Sequence, residues 1–255
     1  MKTNLKTELF HQHLDDLQLR FIQEHHATLA QEAAQNHWDH QQYLQSLVQG
    51  EYELRRQRLI QRRLKEARFP VIKTLEQFRW DWPKKINRLA VQNLFRLNFV
   101  RDKANVILLG TVGLGKSHLA SALGYAACQA GHSVRFANAI NVINELSAAQ
   151  KDGRFKRQLH QYLRPELLIL DEVGYLPIDQ RGADLLFQTI SQRYEQGSIV
   201  LTTNKAFKQW PAIFKNDSTI TSAVLDRLLH HAETVVIEGS SFRMKDQLEQ
   251  PPAAP

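Results

Sequence analysis

Eight consecutive residues, Gly110-Thr111-Val112-Gly113-Leu114-Gly115-Lys116-Ser117, put three glycines, a lysine and a hydroxyl between an apolar run, Val106–Leu109, and a segment that reads as a helix. Glycines let a backbone bend until several N–H groups point at one anion. The amino end of the following helix adds partial positive charge. Lys116 then reaches the outer phosphates of a nucleotide, and Ser117 offers a hydroxyl to Mg²⁺. His118 follows directly and is grouped with these nucleotide-binding residues. A second apolar run, Leu167–Leu170, ends in Asp171-Glu172. Parallel strands carry active residues at their carboxyl ends, so Asp171 is placed to hold Mg²⁺ through its water shell. Glu172 is placed to orient and activate an attacking water. A carboxylate directly after the metal aspartate favours hydrolysis, because a phosphotransferase must keep water away. Asn204, just past the run Ile199–Thr202, can hold the same water or touch the γ-phosphate, although Asn after a strand is also ordinary turn chemistry.

Elements must position these groups. Strands are expected at Val106–Leu109, Val134–Ala137, Leu167–Leu170, Ile199–Thr202 and Thr234–Ile237, and helical segments separate most of them. The runs are short, apolar and unalternating, as strands buried on both faces are. The pattern implies a parallel sheet with helices on both faces. The first hundred residues show no strand pattern. Leu44, Leu47, Val48 and Tyr52 recur at helical spacing, Gly50 is a possible break, and the run Glu51–Phe69 reads as helix up to Pro70. In it Arg55, Arg58, Arg62 and Lys65 make one basic stripe, with Ile60 and Leu64 on the opposite side. The organisation expected is a helical region at 1–68, a basic linker at 69–103, a nucleotide-binding domain at 104–246 and a disordered tail at 247–255.

Composition narrows the class. Of 255 residues, 43% are hydrophobic and 23% charged, which excludes wholesale disorder. No apolar run is long enough to span a membrane, and the polar start lacks a signal-peptide core, so a cytoplasmic protein with no membrane partner is expected. A single cysteine, Cys128, excludes an internal disulfide and cysteine-cluster metal sites. Eleven histidines match no standard zinc spacing. The net charge of +7 is unevenly spread: residues 1–54 hold 3 Lys/Arg against 8 Asp/Glu, and residues 55–103 hold 15 against 4. A dense basic block is either a solvated helix face or a contact for nucleic acid, and no base-reading motif accompanies it. Phe78, Trp80 and Trp82, interleaved with Arg79, Lys84 and Lys85, read first as aromatics docking a linker onto a core, and second as a base-stacking surface.

The order of phosphate loop, Asp-Glu strand and Thr-Thr-Asn strand resembles the AAA+ ATPases, and more closely the IstB-like ATP-binding proteins, helper ATPases of one group of bacterial insertion sequences. The stretches that carry it are "ARFPVIKTLEQF", "NVILLGTVGLGKSHLASALG", "LLILDEVGYLPID", "GADLLFQTISQRYEQGSIVLTTN" and "AVLDRLLHHAETVVIEGSSFRMK", between Ala67 and Lys245. The resemblance implies an α/β P-loop core with a five-stranded parallel sheet and a reduced or absent lid. It implies ATP and Mg²⁺ as cofactors, Asn204 as a sensor, and Arg227 as an arginine finger acting on ATP in a neighbouring subunit. On residue type alone Arg227 reads as a salt-bridge partner of Asp226 or Glu233. Arg243 is implied to sense ATP or line an interface, and Arg193 is a second interface candidate. The loop departs from the family's usual Gly-Pro-x-Gly-x-Gly, and Ser117 stands where Thr is common; the glycines, lysine and hydroxyl remain.

The function implied is an ATPase that binds duplex DNA largely without sequence preference, assembles with copies of itself, and recruits a transposase encoded by the same element. A replicative helicase loader of the DnaC type shares the core. A small-molecule kinase is disfavoured by Asp171-Glu172 and the basic block, and a non-hydrolysing ATP-dependent module by an intact Glu172.

Overall fold

The computed structural model describes residues 2–242; Arg243 and the expected tail lie outside the described residues. The chain divides into two compact units, one up to Arg62 and one from Arg63 onward. Among the described residues no helix is long and apolar enough to cross a membrane.

The first unit is helical: α1 (Lys2–Asp16), α2 (Arg20–Gln35) and α3 (His40–Ala67), the last continuing beyond Arg62. Proline is absent before Pro70, and Ala, Gln, Glu and Leu supply helix propensity. Gly50, expected as a break, lies inside α3 instead. A Cβ there would sit 2.0 Å from the Phe21 ring, so the residue serves a close helix crossing. One residue on, the buried Glu51 carboxylate accepts from the first N–H groups of α2, at Phe21 (2.8 Å) and Ile22 (3.4 Å). Those donors have no partner within the helix, so Glu51 satisfies them and places an anion at the positive helix end. Arg55 donates to Glu51 (3.1 Å) and to the carbonyls of Leu17 and Gln18 (3.2 Å each), closing the α1–α2 turn. Of the apolar residues at helical spacing, Leu47 is buried, whereas Leu44, Val48 and Tyr52 are exposed.

The second unit is a three-layer α/β structure. Its strands are β1 (Lys85–Ile86), β2 (Asn105–Gly110), β3 (Val134–Asn138), β4 (Leu167–Val173), β5 (Ser198–Thr203) and β6 (Ala232–Glu238), in the order β1-β6-β2-β5-β4-β3. All five expected strands are present and mutually parallel. The sheet nonetheless has six strands rather than five. The basic linker contributes β1, which runs antiparallel to β6 and pairs Lys85 with Glu238. The added strand is two residues long and covers an edge that would otherwise present unpaired backbone groups. Because β6 has only this short neighbour outside it, Val235 and Ile237 are buried while Thr234, Val236 and Glu238 are exposed. It therefore alternates where an unbroken apolar strand was expected.

Successive residues of the central strands feed two cores. Val106, Leu108, Ile169 and Val200 face α6 (Lys116–Gln129) together with α4 (Arg88–Leu94), α5 (Asn98–Arg101) and Phe78 of the linker. Ile107, Leu168, Leu170 and Leu201 face α7 (Ala139–Lys151), α8 (Phe155–Leu163), α9 (Gln180–Arg193) and α10 (Ser218–Leu229). Each such side chain contributes about 1.5–3 kcal/mol on burial. Phe78 is buried in this core and Trp80 packs against it.

Arg193 corrects an expectation. It is 1% exposed and cannot form a subunit surface. Nη1 donates to the carbonyls of Tyr162 (2.8 Å), Leu163 (3.1 Å) and Pro165 (2.8 Å), and Nη2 to Glu166 (3.1 Å) and Ser198 (2.8 Å). Burial lowers its pKa to about 10, which leaves it charged at neutral pH. The guanidinium ties the end of α8 to the starts of β4 and β5. Replacing it strands five carbonyls, so Arg193→Met is expected to lower unfolding free energy by about 3 kcal/mol or more in urea titration. An unchanged midpoint and slope would remove Arg193 from this role.

Candidate functional site

The eight-residue loop joins β2 to α6. Gly113 and Gly115 have φ of +80° and +83°, conformations that side chains resist. A Cβ on Gly110 would approach the Ile237 carbonyl of β6 to 2.4 Å, so the loop starts hard against the neighbouring strand. Two segments outside the loop flank it. The Phe78 ring of the linker lies against Gly115 and Ser241 against Gly113; the Phe242 N–H donates to the Gly113 carbonyl (2.9 Å). Trp82 Nε1 donates to the Ser240 carbonyl (2.9 Å) and its ring meets Phe242 edge-on at 5.3 Å. These segments and the loop enclose a cavity of about 480 Å³, walled by Val71, Phe78, Trp82, Tyr175 and Phe242 as well as by Val112 to His118, Asp171 and Glu172. That volume suits a nucleotide-sized ligand.

Lys116, the first residue of α6, is 3% exposed. Nζ donates to the Thr111 carbonyl (2.7 Å) and lies 5.7 Å from the centre of the Tyr175 ring. His118 lines the cavity, but Nε2 donates to the Thr74 carbonyl (2.8 Å), which pins the linker. Burial holds its pKa below the ordinary imidazole value, with the Lys73 charge acting the same way.

The two carboxylates stand together near the carboxyl end of β4, between β3 and β5. Strand register places Asn138 of β3 opposite Asp171 of β4, and Thr202 of β5 beside them. Asp171 Oδ1 accepts from Ser117 Oγ (2.9 Å) and from Thr202 Oγ1 (2.6 Å). Thr202 Oγ1 also accepts from the Glu172 N–H (2.9 Å). Asn138 Nδ2 donates to Glu172 Oε2 (2.6 Å), while its Oδ1 accepts from Ile140 N–H and caps α7. Neighbours on a regular strand point to opposite faces. Here β4 slips register against β5 between Leu170 and Val173, and Glu172 adopts φ +62°. The irregularity brings both carboxylates to one cavity, at a backbone cost of about 1–3 kcal/mol. Thr202 and Asn138 were not singled out in the sequence. Asn138 carried a readable signal as an N-cap before an apolar helix, but its bond to Glu172 depends on strand order.

Asn204 sits just past β5, and its Oδ1 is buried without a hydrogen-bond partner. Asn204 is not among the residues that line the cavity holding Asp171 and Glu172. Arg227 is not brought to this site. Its backbone carbonyl is contacted by Asn105, the first residue of β2, whereas Gly110 ends that strand. Six strand residues, roughly 17–20 Å, separate the two ends. Arg227 Nη1 donates to the Ala223 carbonyl (2.9 Å) and the guanidinium lies 5.2 Å from the Phe187 ring centre. Arg55, Arg58, Arg62 and Lys65 are exposed on α3. A threonine that serves both carboxylate residues is expected to be irreplaceable by its apolar isostere: Thr202→Val should lower stability by about 1–3 kcal/mol in chemical denaturation. A valine variant as stable as the parent would rule out the bridge.

Comparison with known proteins agrees with this geometry. The family model for IstB-like ATP binding protein matches residues 12–250. The ATP-binding protein of insertion sequence IS21 from Pseudomonas aeruginosa is 42% identical over 234 residues, covering 92% of this chain and 88% of that protein. Among solved structures, AMPPCP-bound DnaA from Aquifex aeolicus aligns with TM-score 0.54 and 25% identity, over 69% of this chain and 55% of that one. The DnaC helicase loader aligns with TM-score 0.53 over 65% of this chain and 96% of that one, and at 21% identity shows the fold alone. A match that runs through the helical unit, the linker and the whole nucleotide-type cavity makes the chain a member of the IstB-like ATP-binding family of insertion sequences.

Proposed function

We propose that this protein hydrolyses ATP to ADP and phosphate, and couples that cycle to assembly on duplex DNA and recruitment of the transposase of its own element. The observation that carries the reading is the linked set Ser117–Asp171–Thr202–Glu172 beside the glycine-rich loop. The loop N–H groups and Lys116 hold the phosphates; Nζ exchanges the Thr111 carbonyl for phosphate oxygens. Ser117 and Asp171 are hard oxygen donors 2.9 Å apart and would hold Mg²⁺, which supplies charge neutralisation at the phosphates. Asn138 fixes Glu172 Oε2 and leaves Oε1 to take a proton from the attacking water as the bond from phosphorus to the leaving ADP oxygen breaks. Asn204 Oδ1, lacking a partner, orients that water. The apolar wall of Val71, Phe78 and Trp82 receives the base.

Arg227 stands at the far end of β2 from its own loop, so a phosphate it meets belongs to another copy. A permanently charged, planar guanidinium suits the charge spread over the transferring phosphoryl group. Hydrolysis then requires assembly, and the exposed basic residues of α3 give DNA the means to promote it. Relatives named for insertion sequences support a role in transposition. Strand cleavage is assigned to the transposase.

Steady-state ATP turnover with and without generic duplex DNA tests the reading. DNA should raise turnover in the parent. Glu172→Gln should lose at least about 100-fold in kcat while still binding ATP and DNA. Arg227→Ala should lose on the order of 10³ at saturating ATP. Mixing the two variants should restore part of the activity, since each supplies what its neighbour lacks. Turnover indifferent to DNA, with Arg227→Ala normal, would defeat the assembly model and turn the search to a helicase partner.

A further inference from the structure

Within the first unit, Arg20 at the start of α2 lines the same cleft as Arg55, Arg58 and Arg62 of α3, a space of about 480 Å³ closed by Gln18 and Leu59. The four arginines are not equivalent. Arg55 is committed to Glu51 and to the carbonyls of Leu17 and Gln18. Arg20, Arg58 and Arg62 are exposed and have no hydrogen-bond or ion-pair partner among the described residues. Glu51, the carboxylate paired with Arg55, is buried and already satisfied by two backbone N–H groups and Arg55. Four guanidinium groups thus share one cleft with one neutralised carboxylate, which gives the cleft a local excess of positive charge that attracts an anion.

Three features identify the anion. Guanidinium forks match phosphate oxygens bidentately. The cleft is open and, among the described residues, Leu59 is its only apolar lining, so nothing there would grip a nucleotide base. Arg58 and Arg62 stand one turn apart, about 6 Å along the helix axis, so they reach separate phosphates. Outside these four arginines the unit is acidic, with 8 Asp/Glu against 3 Lys/Arg over residues 1–62. A polyanion crossing this unit is repelled elsewhere and held here. We propose that this cleft, rather than a continuous stripe from Arg55 to Lys65, is where the N-terminal unit grips the backbone of duplex DNA. Arg20, Arg58 and Arg62 contact phosphates, and Arg55 positions them by fixing the α1–α2 turn. The proposal rests on the DNA-binding reading above and replaces its residue assignment: Arg20 enters, Arg55 becomes structural, and Lys65 drops out.

The test is fluorescence anisotropy of a labelled duplex of arbitrary sequence, with the full chain and ATP, across a range of salt concentrations. Each of Arg20→Gln, Arg58→Gln and Arg62→Gln should reduce the slope of log affinity against log salt by about 0.9, and the triple variant by nearly 3. Lys65→Gln should leave it unchanged. Thermal melting of the three single variants should match the parent, whereas Arg55→Gln should melt earlier. A triple variant with the parental slope overturns the cleft and leaves DNA binding standing. Loss of slope in Lys65→Gln with none in Arg20→Gln overturns it in favour of the stripe, and early melting of the three single variants makes them structural. A parent that shows no salt-dependent binding at all removes the DNA reading itself.

Discussion

Asp171 is 8% exposed at the end of a strand whose preceding four residues are fully buried. A carboxylate in that position must be compensated, because taking an ionised group out of water without hydrogen bonds costs several kcal/mol. Two hydroxyls do this, Ser117 from the loop and Thr202 from the adjacent strand. The requirement fixes much else. Ser117 can reach Asp171 only if the glycine-rich loop turns tightly enough to start α6 over β4. Thr202 can reach it only if β5 lies beside β4 in the observed register. The same hydroxyl accepts the Glu172 N–H, which anchors the left-handed backbone that swings Glu172 toward the cavity. One compensated charge thereby couples loop conformation, strand order and the placement of the second carboxylate.

The parts of this arrangement that were readable in the sequence are those in which a residue's environment repeats along the chain. Leu167–Leu170 and Ile199–Leu201 are buried on both faces, so an unbroken apolar run announced them. The phosphate loop was readable because its glycines, lysine and hydroxyl answer to one local geometry. What escaped was set by partners distant in sequence. Lys85–Ile86 has no pattern of its own and becomes a strand only because β6, some 150 residues later, offers an edge. Gly50 looked like a helix break because composition cannot show that Phe21 crosses at that point. Arg193 looked like a surface cation because five carbonyls, four from Tyr162 to Glu166 and one from Ser198, converge on it only after folding. Asn138 and Thr202 flank the carboxylates through sheet order, which is a property of topology rather than of spacing.

The cavity is also built from remote pieces, and this bears on how a bound ligand acts on the rest of the molecule. The linker supplies Phe78 and Trp82, the loop supplies Gly113 and Gly115, and the chain after β6 supplies Ser241 and Phe242. They are joined directly: Trp82 to the Ser240 carbonyl, Phe242 to the Gly113 carbonyl, and His118 to the Thr74 carbonyl. A ligand seated among them touches three segments that otherwise hold one another. It shifts their arrangement only by the difference in its affinity for the two states. Lys116 makes that difference concrete. Its ammonium group donates to the Thr111 carbonyl within the loop, so a ligand that drew Nζ away would give up an existing hydrogen bond. Thr111 belongs to the loop against which Phe78 and Ser241 are packed. A ligand held there would contact residues from both the start and the end of the α/β unit.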